Sequence, residues 1–177
     1  NGEYLSAGGK YIFTVSDFLG NSTEITVKMD LDVAMTVNGT YVVDADGNYI
    51  SKNWLSVTPD EEMNEFYVET EDGVRLGAGE RVSAEGSYVV YAKDAFNNVQ
   101  QLTLIIDKTA PRILLNGVTS NGATRSNVVL NFTENASAYY RLNNGDKIAL
   151  ADGSVVKAEG SYVVTASDIV GNTATVS

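Results

Sequence analysis

The side chains best equipped for chemistry in this sequence are carboxylates: 23 Asp and Glu stand against 12 Lys and Arg, with no His and no Cys. Four of them are candidate cation ligands by their setting. Asp44 and Asp46 lie in Asp44-Ala45-Asp46-Gly47-Asn48, which begins like a calcium loop, and Asp94 and Asp168 open the turns "DAFNN" and "DIVGN". Calcium takes six to eight oxygens, and an EF-hand loop needs Gly at its sixth position and Glu at its twelfth. Here Gly47 is fourth and Leu55 twelfth. One carboxylate per turn also falls well short of a full shell, so a turn is the better reading at each place and no cofactor is expected, with calcium as the subordinate candidate. The acidic run Asp60-Glu61-Glu62 reads as a solvated loop, whose carboxylates would join a neighbouring unit's turn if calcium were bound. Trp54, Tyr91 and Tyr140 are the candidate aromatic platforms for a sugar ring. For each, an ordinary position in or on a sheet is the better reading.

Other chemistries are excluded by what is missing. Without His the chain lacks the commonest general base and metal ligand, and without Cys it has no thiol nucleophile or thiolate zinc site. There is no P-loop and no G-x-S-x-G, so an enzyme is not expected. A formal charge of −11 argues against nucleic acid, whose binding rests on Lys and Arg neutralising phosphates, and against anionic membrane surfaces. No apolar run approaches the roughly 18 residues of a membrane span.

The elements that must hold these side chains are strands. Short runs rich in Val, Ile, Tyr and Thr alternate with clusters of Gly, Asn and Asp, an all-β pattern. In the last third, strands are expected over 113–116, 127–133, 138–142, 147–150, 154–157, 161–167 and 173–176. In the middle third they are expected over 34–37, 40–43, 54–58, 66–70, 74–76, 87–93 and 99–106. Seven short strands at such spacing suggest a β-sandwich.

One phrase recurs three times: "AGGKYIFTVSDFLGN" from Ala7, "AEGSYVVYAKDAFNN" from Ala84 and "AEGSYVVTASDIVGN" from Ala158. Gly9, Gly86 and Gly160 hold the same place in it, 77 and 74 residues apart. That period fits a small independent sandwich and exceeds a solenoid or propeller repeat. The expected domains are 1–31, comprising only the last strands of a first unit, then 32–108 and 109–177. Units of this size bury only some 60% of their unfolded surface, which leaves no volume for a deep pocket. The chain therefore reads as cut from a longer array. Between Ile106 and Ile113 stands only "DKTAPR", where Pro111 fixes its own φ and holds Ala110 extended, so a stiff link is expected.

The phrase also assigns structural roles. In immunoglobulin-type sandwiches a corner tyrosine near the start of strand F returns its hydroxyl to the backbone, two residues before the second Cys. Gly86 and Gly160 suit the tight corner, and Tyr11, Tyr88 and Tyr162 are the corner tyrosines. Phe13, Val90 and Val164 stand where the Cys would be. Strand alternation sends Tyr88, Val90 and Ala92 to one face, and Val89, Tyr91 and Lys93 to the other. The ending D-x-x-(G/N)-N supplies the hairpin, because Gly and Asn tolerate φ > 0 and Asp accepts from backbone N–H groups.

The phrase, followed by a strand and "DKTAP", resembles the tandem bacterial Ig-like repeats of secreted and cell-surface proteins, and "SAYYRLNNGDKIAL" looks like their middle hairpin. The resemblance covers nearly the whole chain, departing at Asn97, where Gly is usual, and in the middle of the second unit. It implies an extracellular stalk or spacer, secreted or attached to the cell surface, whose partners are neighbouring repeats of the parent chain. The alternative it implies is an adhesin or glycan-binding module that recognises a carbohydrate or host protein through a sheet face or loop end.

Overall fold

The computed structural model describes residues 4, 5, 7–134 and 136–177. Among them there is no helix, and the protein is an all-β chain of sheets. The first strands are β1 (Gly9–Ser16) and β2 (Ser22–Met29), followed by β3 (Met35–Gly39), β4 (Val42–Val43), β5 (Tyr49–Ser51), β6 (Leu55–Pro59), β7 (Met63–Thr70), β8 (Arg75–Leu76), β9 (Gly86–Asp94) and β10 (Val99–Ile106). The last third adds β11 (Ile113–Asn116), β12 (Val128–Phe132), β13 (Ser137–Leu142), β14 (Lys147–Leu150), β15 (Ser154–Val156), β16 (Tyr162–Ser167) and β17 (Thr173–Val176). The pairings β1–β2, β4–β5, β7–β8, β7–β9, β11–β12, β12–β15, β13–β14, β13–β16 and β16–β17 are antiparallel, so short loops can join neighbouring strands.

The strands form the sheets β1-β2, β3-β6, β4-β5-β10-β9-β7-β8, β11-β12-β15 and β14-β13-β16-β17. Two compact units are distinguished along the chain. One comprises Asn1–Asn38, Ser56–Arg81 and Ser87–Leu104, and the other Gly39–Leu55, Val82–Gly86 and Ile105–Ser177.

In the first unit, Val57, Val68, Val90, Ala92 and Leu104 are fully buried. Along β9, Tyr88, Val90, Ala92 and Asp94 are buried while Val89 is exposed and Tyr91 and Lys93 are half-buried, the two-residue alternation expected of a strand with one inner face. In the second unit, Val128, Leu130 and Val164 form a core onto which Ile113, Leu115, Tyr140, Leu150, Val156 and Val176 pack. These residues come from both β11-β12-β15 and β14-β13-β16-β17, so the two sheets close face to face as a β-sandwich. Burying each such aliphatic side chain contributes about 1.5–3 kcal/mol.

The seven strands of the last third lie within a residue of their expected bounds. The middle third adds β5, absent from the sequence expectation, and begins β7 three residues early. β7 is irregular there: its register to β9 shifts between Met63 and Glu65. Such a bulge hides an alternating pattern from the sequence. β5 is only three residues long and its apolar signal is carried by Tyr49 and Ile50 alone.

Candidate functional site

Four turns share one hydrogen-bond scheme. In Asp94–Asn98, Asp94 Oδ1 accepts from the Phe96 and Asn98 N–H groups at 2.7 and 2.8 Å, and Oδ2 accepts from Asn98 Nδ2 at 2.7 Å. Asp168 does the same with Val170, Asn172 and Asn172 Nδ2 at 2.9, 2.8 and 2.7 Å. Asp17 serves Leu19 and Asn21, and Asp44 serves Asp46 and Asn48. The fourth residue of each turn is left-handed: φ is 89° at Gly20, 83° at Gly47, 69° at Asn97 and 83° at Gly171. That requirement explains Gly or Asn at this position, since other residues pay a Cβ clash there. Asp44–Asn48 has the same spacing as the other three, a signal present in the sequence but hidden by its likeness to a calcium loop.

Two of these turns also hold the segment that leads into the following strands. Asn98 Nδ2 donates a second time, to the Asp30 carbonyl at 3.0 Å, and Asn172 Nδ2 donates to the Asp107 carbonyl at 3.0 Å. The Asp107 N–H in turn donates to the Ser51 carbonyl at 2.9 Å. The amide nitrogen thus joins the turn's carboxylate on one side to the entering backbone on the other.

Around each of these points lies a carboxylate triad. Asp30, Glu61 and Asp94 bring one oxygen each within 4.8 Å of one another, and so do Asp107, Glu134 and Asp168. Asp94 is fully buried and Asp168 nearly so, whereas Glu134 is exposed. Of the residues considered as calcium ligands from sequence, Asp94 and Asp168 enter triads and Asp44 and Asp46 do not. Glu61, expected in a solvated loop, is half-buried and accepts from the Ala34 N–H at 2.7 Å. Its neighbour Asp60 accepts from Thr36 Oγ1 at 2.8 Å. The sequence reading weighed Glu61 as joining a neighbouring unit's turn; it missed the triad members Asp30, Asp107 and Glu134, although Asp30 and Asp107 share the 77-residue spacing of Gly9 and Gly86.

The electrostatics of the triads differ. Lys28 Nζ lies 3.0 Å from Asp30 Oδ2 and 5.1 Å from the centre of the Phe96 ring. Its hydrogen bond holds the Asp30 carboxyl below the usual range, and the carboxylates of Asp30, Glu61 and Asp94 raise Lys28. In the second triad, partial burial and then the negative charges of Asp107 and Asp168 push Glu134 up. Asp17 and Asp44 are lowered, first by the Asn side chain of their own turns and then by backbone N–H groups.

Chemically, a triad offers a cation three carboxylate oxygens. Calcium needs six to eight, and both oxygens of Asp94 and of Asp168 already accept hydrogen bonds. An open hollow lined by Asp44, Glu85, Asp107, Glu134, Asp168 and Ile169 makes the second triad's surroundings strongly negative.

The aromatic candidates lie elsewhere. Tyr91 stacks on Tyr67 across β9 and β7 at 5.2 Å, and the Arg75 guanidinium covers Tyr67 at 3.7 Å. Tyr140 packs on the core cluster, 5.4 Å from the Tyr162 ring. Trp54 is half-buried beside Gly39, where an added Cβ would meet the Trp54 carbonyl oxygen at 2.6 Å.

At the corners, the Tyr162 hydroxyl donates to the Ala158 carbonyl at 2.7 Å, and Tyr11 donates to Ala7 at 2.8 Å. Tyr88 is 7% exposed, and its burial, with Glu71 nearby, raises its hydroxyl. Gly160 has φ 152°, and a Cβ there would come within 2.4 Å of Leu142 Cδ1. Set against known proteins, the chain matches no protein-family model and no curated protein sequence.

Proposed function

We propose that the chain is a structural segment, a stalk or spacer built from tandem Ig-like repeats bounded at 1–31, 32–108 and 109–177, in an extracellular bacterial surface protein. The carrying observation is the double use of the turn asparagine: Asn98 and Asn172 each bind their own turn's Asp and a carbonyl of the entering segment. A link held to the body of the repeat by the turn that ends it has little freedom to swing. Pro111 removes more freedom by fixing its own φ.

The strand orders support the Ig-like reading. Lettered in chain order, β11, β12 and β15 correspond to A, B and E, while β14, β13, β16 and β17 correspond to C′, C, F and G. The acidic surface would keep such segments soluble and mutually repelling. The partners in this reading are neighbouring repeats. Recognition of a glycan or host protein gains no specific support, because Tyr91 and Tyr140 already engage other rings.

The test is the distance distribution between spin labels at Lys93 and Lys147, by pulsed dipolar spectroscopy. A narrow distribution that broadens in Asn172→Ala is expected. A broad distribution in the unmodified chain would sink the spacer reading.

A further inference from the structure

The hairpins β7–β8 and β13–β14 are built on one plan. Tyr67 and Tyr139 stand 72 residues apart, and a cation of the next strand covers each ring, Arg75 at 3.7 Å and Lys147 at 4.2 Å. In the first unit the hairpin also holds its own acids. Glu69 lies directly opposite Arg75 and accepts from its Nε at 2.8 Å. Just past β8, Glu80 accepts from the Gly77 N–H at 2.6 Å, so a carboxylate meets the backbone there.

The second unit has neither acid in these roles. By the same count Arg141 stands in place of Glu69, directly opposite Lys147. Asp152, in place of Glu80, turns instead to the Phe132 N–H at 2.8 Å. Among the described residues neither Arg141 nor Lys147 has an ion-pair partner, the adjacent Asp146 included. Like charges facing each other across a strand pair are destabilising, and a local rule broken without compensation is expected at functional places. The edge beside them is open too. β14 ends its sheet, so among the described residues its outer side is unpaired. Ile148 lies opposite the core-packed Tyr140 and shares its face, yet it is 47% exposed. Arg141 Nη1 donates to the Gly145 carbonyl at 2.9 Å, which brings the guanidinium to the start of β14.

We infer that the β14 edge binds an extended acidic peptide, which adds as a strand beside β14, sets carboxylates against Lys147 and Arg141 and lays an apolar side chain on Ile148. Backbone hydrogen bonds then give affinity, and alternating acidic and apolar side chains give fit. The peptide supplies the carboxylates that Glu69 and Glu80 supply within the first unit. A sulfated glycan would satisfy the two cations but would leave the strand edge and Ile148 unmet. Binding of this kind neither requires nor excludes a spacer role.

Backbone NMR of the 177-residue chain tests it at physiological salt, where a Debye length of about 8 Å screens the rest of the −11 charge. The probe is a capped peptide of alternating Glu and Val, about six residues long like an ordinary strand. Expected are saturable shifts in the amides of Lys147–Leu150 and none in those of Arg75–Leu76. Arg141→Glu restores the first unit's pattern. It should raise the melting midpoint by pairing with Lys147 and weaken the peptide about tenfold, because both cations are withdrawn at once. Lys147→Gln should weaken it about threefold. A Lys–Val peptide of the same length and a sulfated oligosaccharide should leave β14 unshifted. No saturable shift with the Glu–Val peptide, equal binding by either control, or undiminished binding by Arg141→Glu and Lys147→Gln would each overturn the inference.

Discussion

The two carboxylate triads occupy matching places relative to copies of the recurring phrase yet solve the same electrostatic problem differently. Each gathers three acidic oxygens within 4.8 Å. Around Asp94 the charge is met by Lys28, a β2 residue two positions before Asp30. The residue two positions before Asp107 is Ile105, so the Asp168 triad has no lysine in that place, and the strain appears as a raised Glu134. What stays constant is the hydrogen-bonded core of the turn. The rim charges, which face solvent and are screened, are free to vary.

The largest effect should come from the constant part. Asp94→Ala leaves the Phe96 and Asn98 N–H groups and Asn98 Nδ2 without their acceptor in a fully buried place, and should cost about 3 kcal/mol or more in chemical denaturation. Asp168→Ala should cost a similar amount. A cost at Asp168 below half that at Asp94 would mean that the turns are not equivalent. Next, Asn98→Ala removes two side-chain hydrogen bonds and Asn172→Ala three, one of them long, and each should cost about 1–2 kcal/mol. Amide exchange should localise the loss to the mutated turn and the segment that it holds.

Acidification should then separate the triads. Glu134 has a folded pKa raised above its usual 4.5, so its contribution to stability is present below 4.5 and is lost as pH rises through the folded value. Asp30 is lowered from 3.8, so its contribution is present above 3.8 and is lost as pH falls through the folded value. Protection of β16 amides, taken relative to their intrinsic exchange rates, should therefore rise between pH 7 and 4.5, and Glu134→Gln should flatten that trend with a gain below about 1 kcal/mol at neutral pH, discounted because the group is exposed. β9 should show no such rise in protection.

Smaller still is Lys28→Gln, which should remove the salt dependence of exchange near Asp94 and leave β16 unchanged. Smallest is calcium: at matched ionic strength it should produce no saturable rise in the melting midpoint. A saturable rise abolished by Glu134→Gln would show that a triad completes a coordination shell.

Much of this protein was legible in its residues because the information is local. Period-two alternation places Tyr88, Val90 and Ala92 inward, and D-x-x-(G/N)-N encodes a turn through one acceptor side chain and one residue that accepts φ > 0. These are properties of neighbours in sequence and they need no tertiary context. Three copies of one phrase likewise announce a recurring unit.

The tertiary structure alone decided what distant segments do together. Glu61 looks like one member of a solvated acidic run until β7 brings it beside Asp30 and Asp94. Glu134 joins Asp107 and Asp168 across 27 and 34 residues of chain. The second hydrogen bond of each turn asparagine reaches 68 or 65 residues back, a partner that no local spacing reveals. The physical reason is range: turn chemistry and strand alternation act over a few bonds, whereas triads and pinned links are set by which surfaces the chain folds against each other.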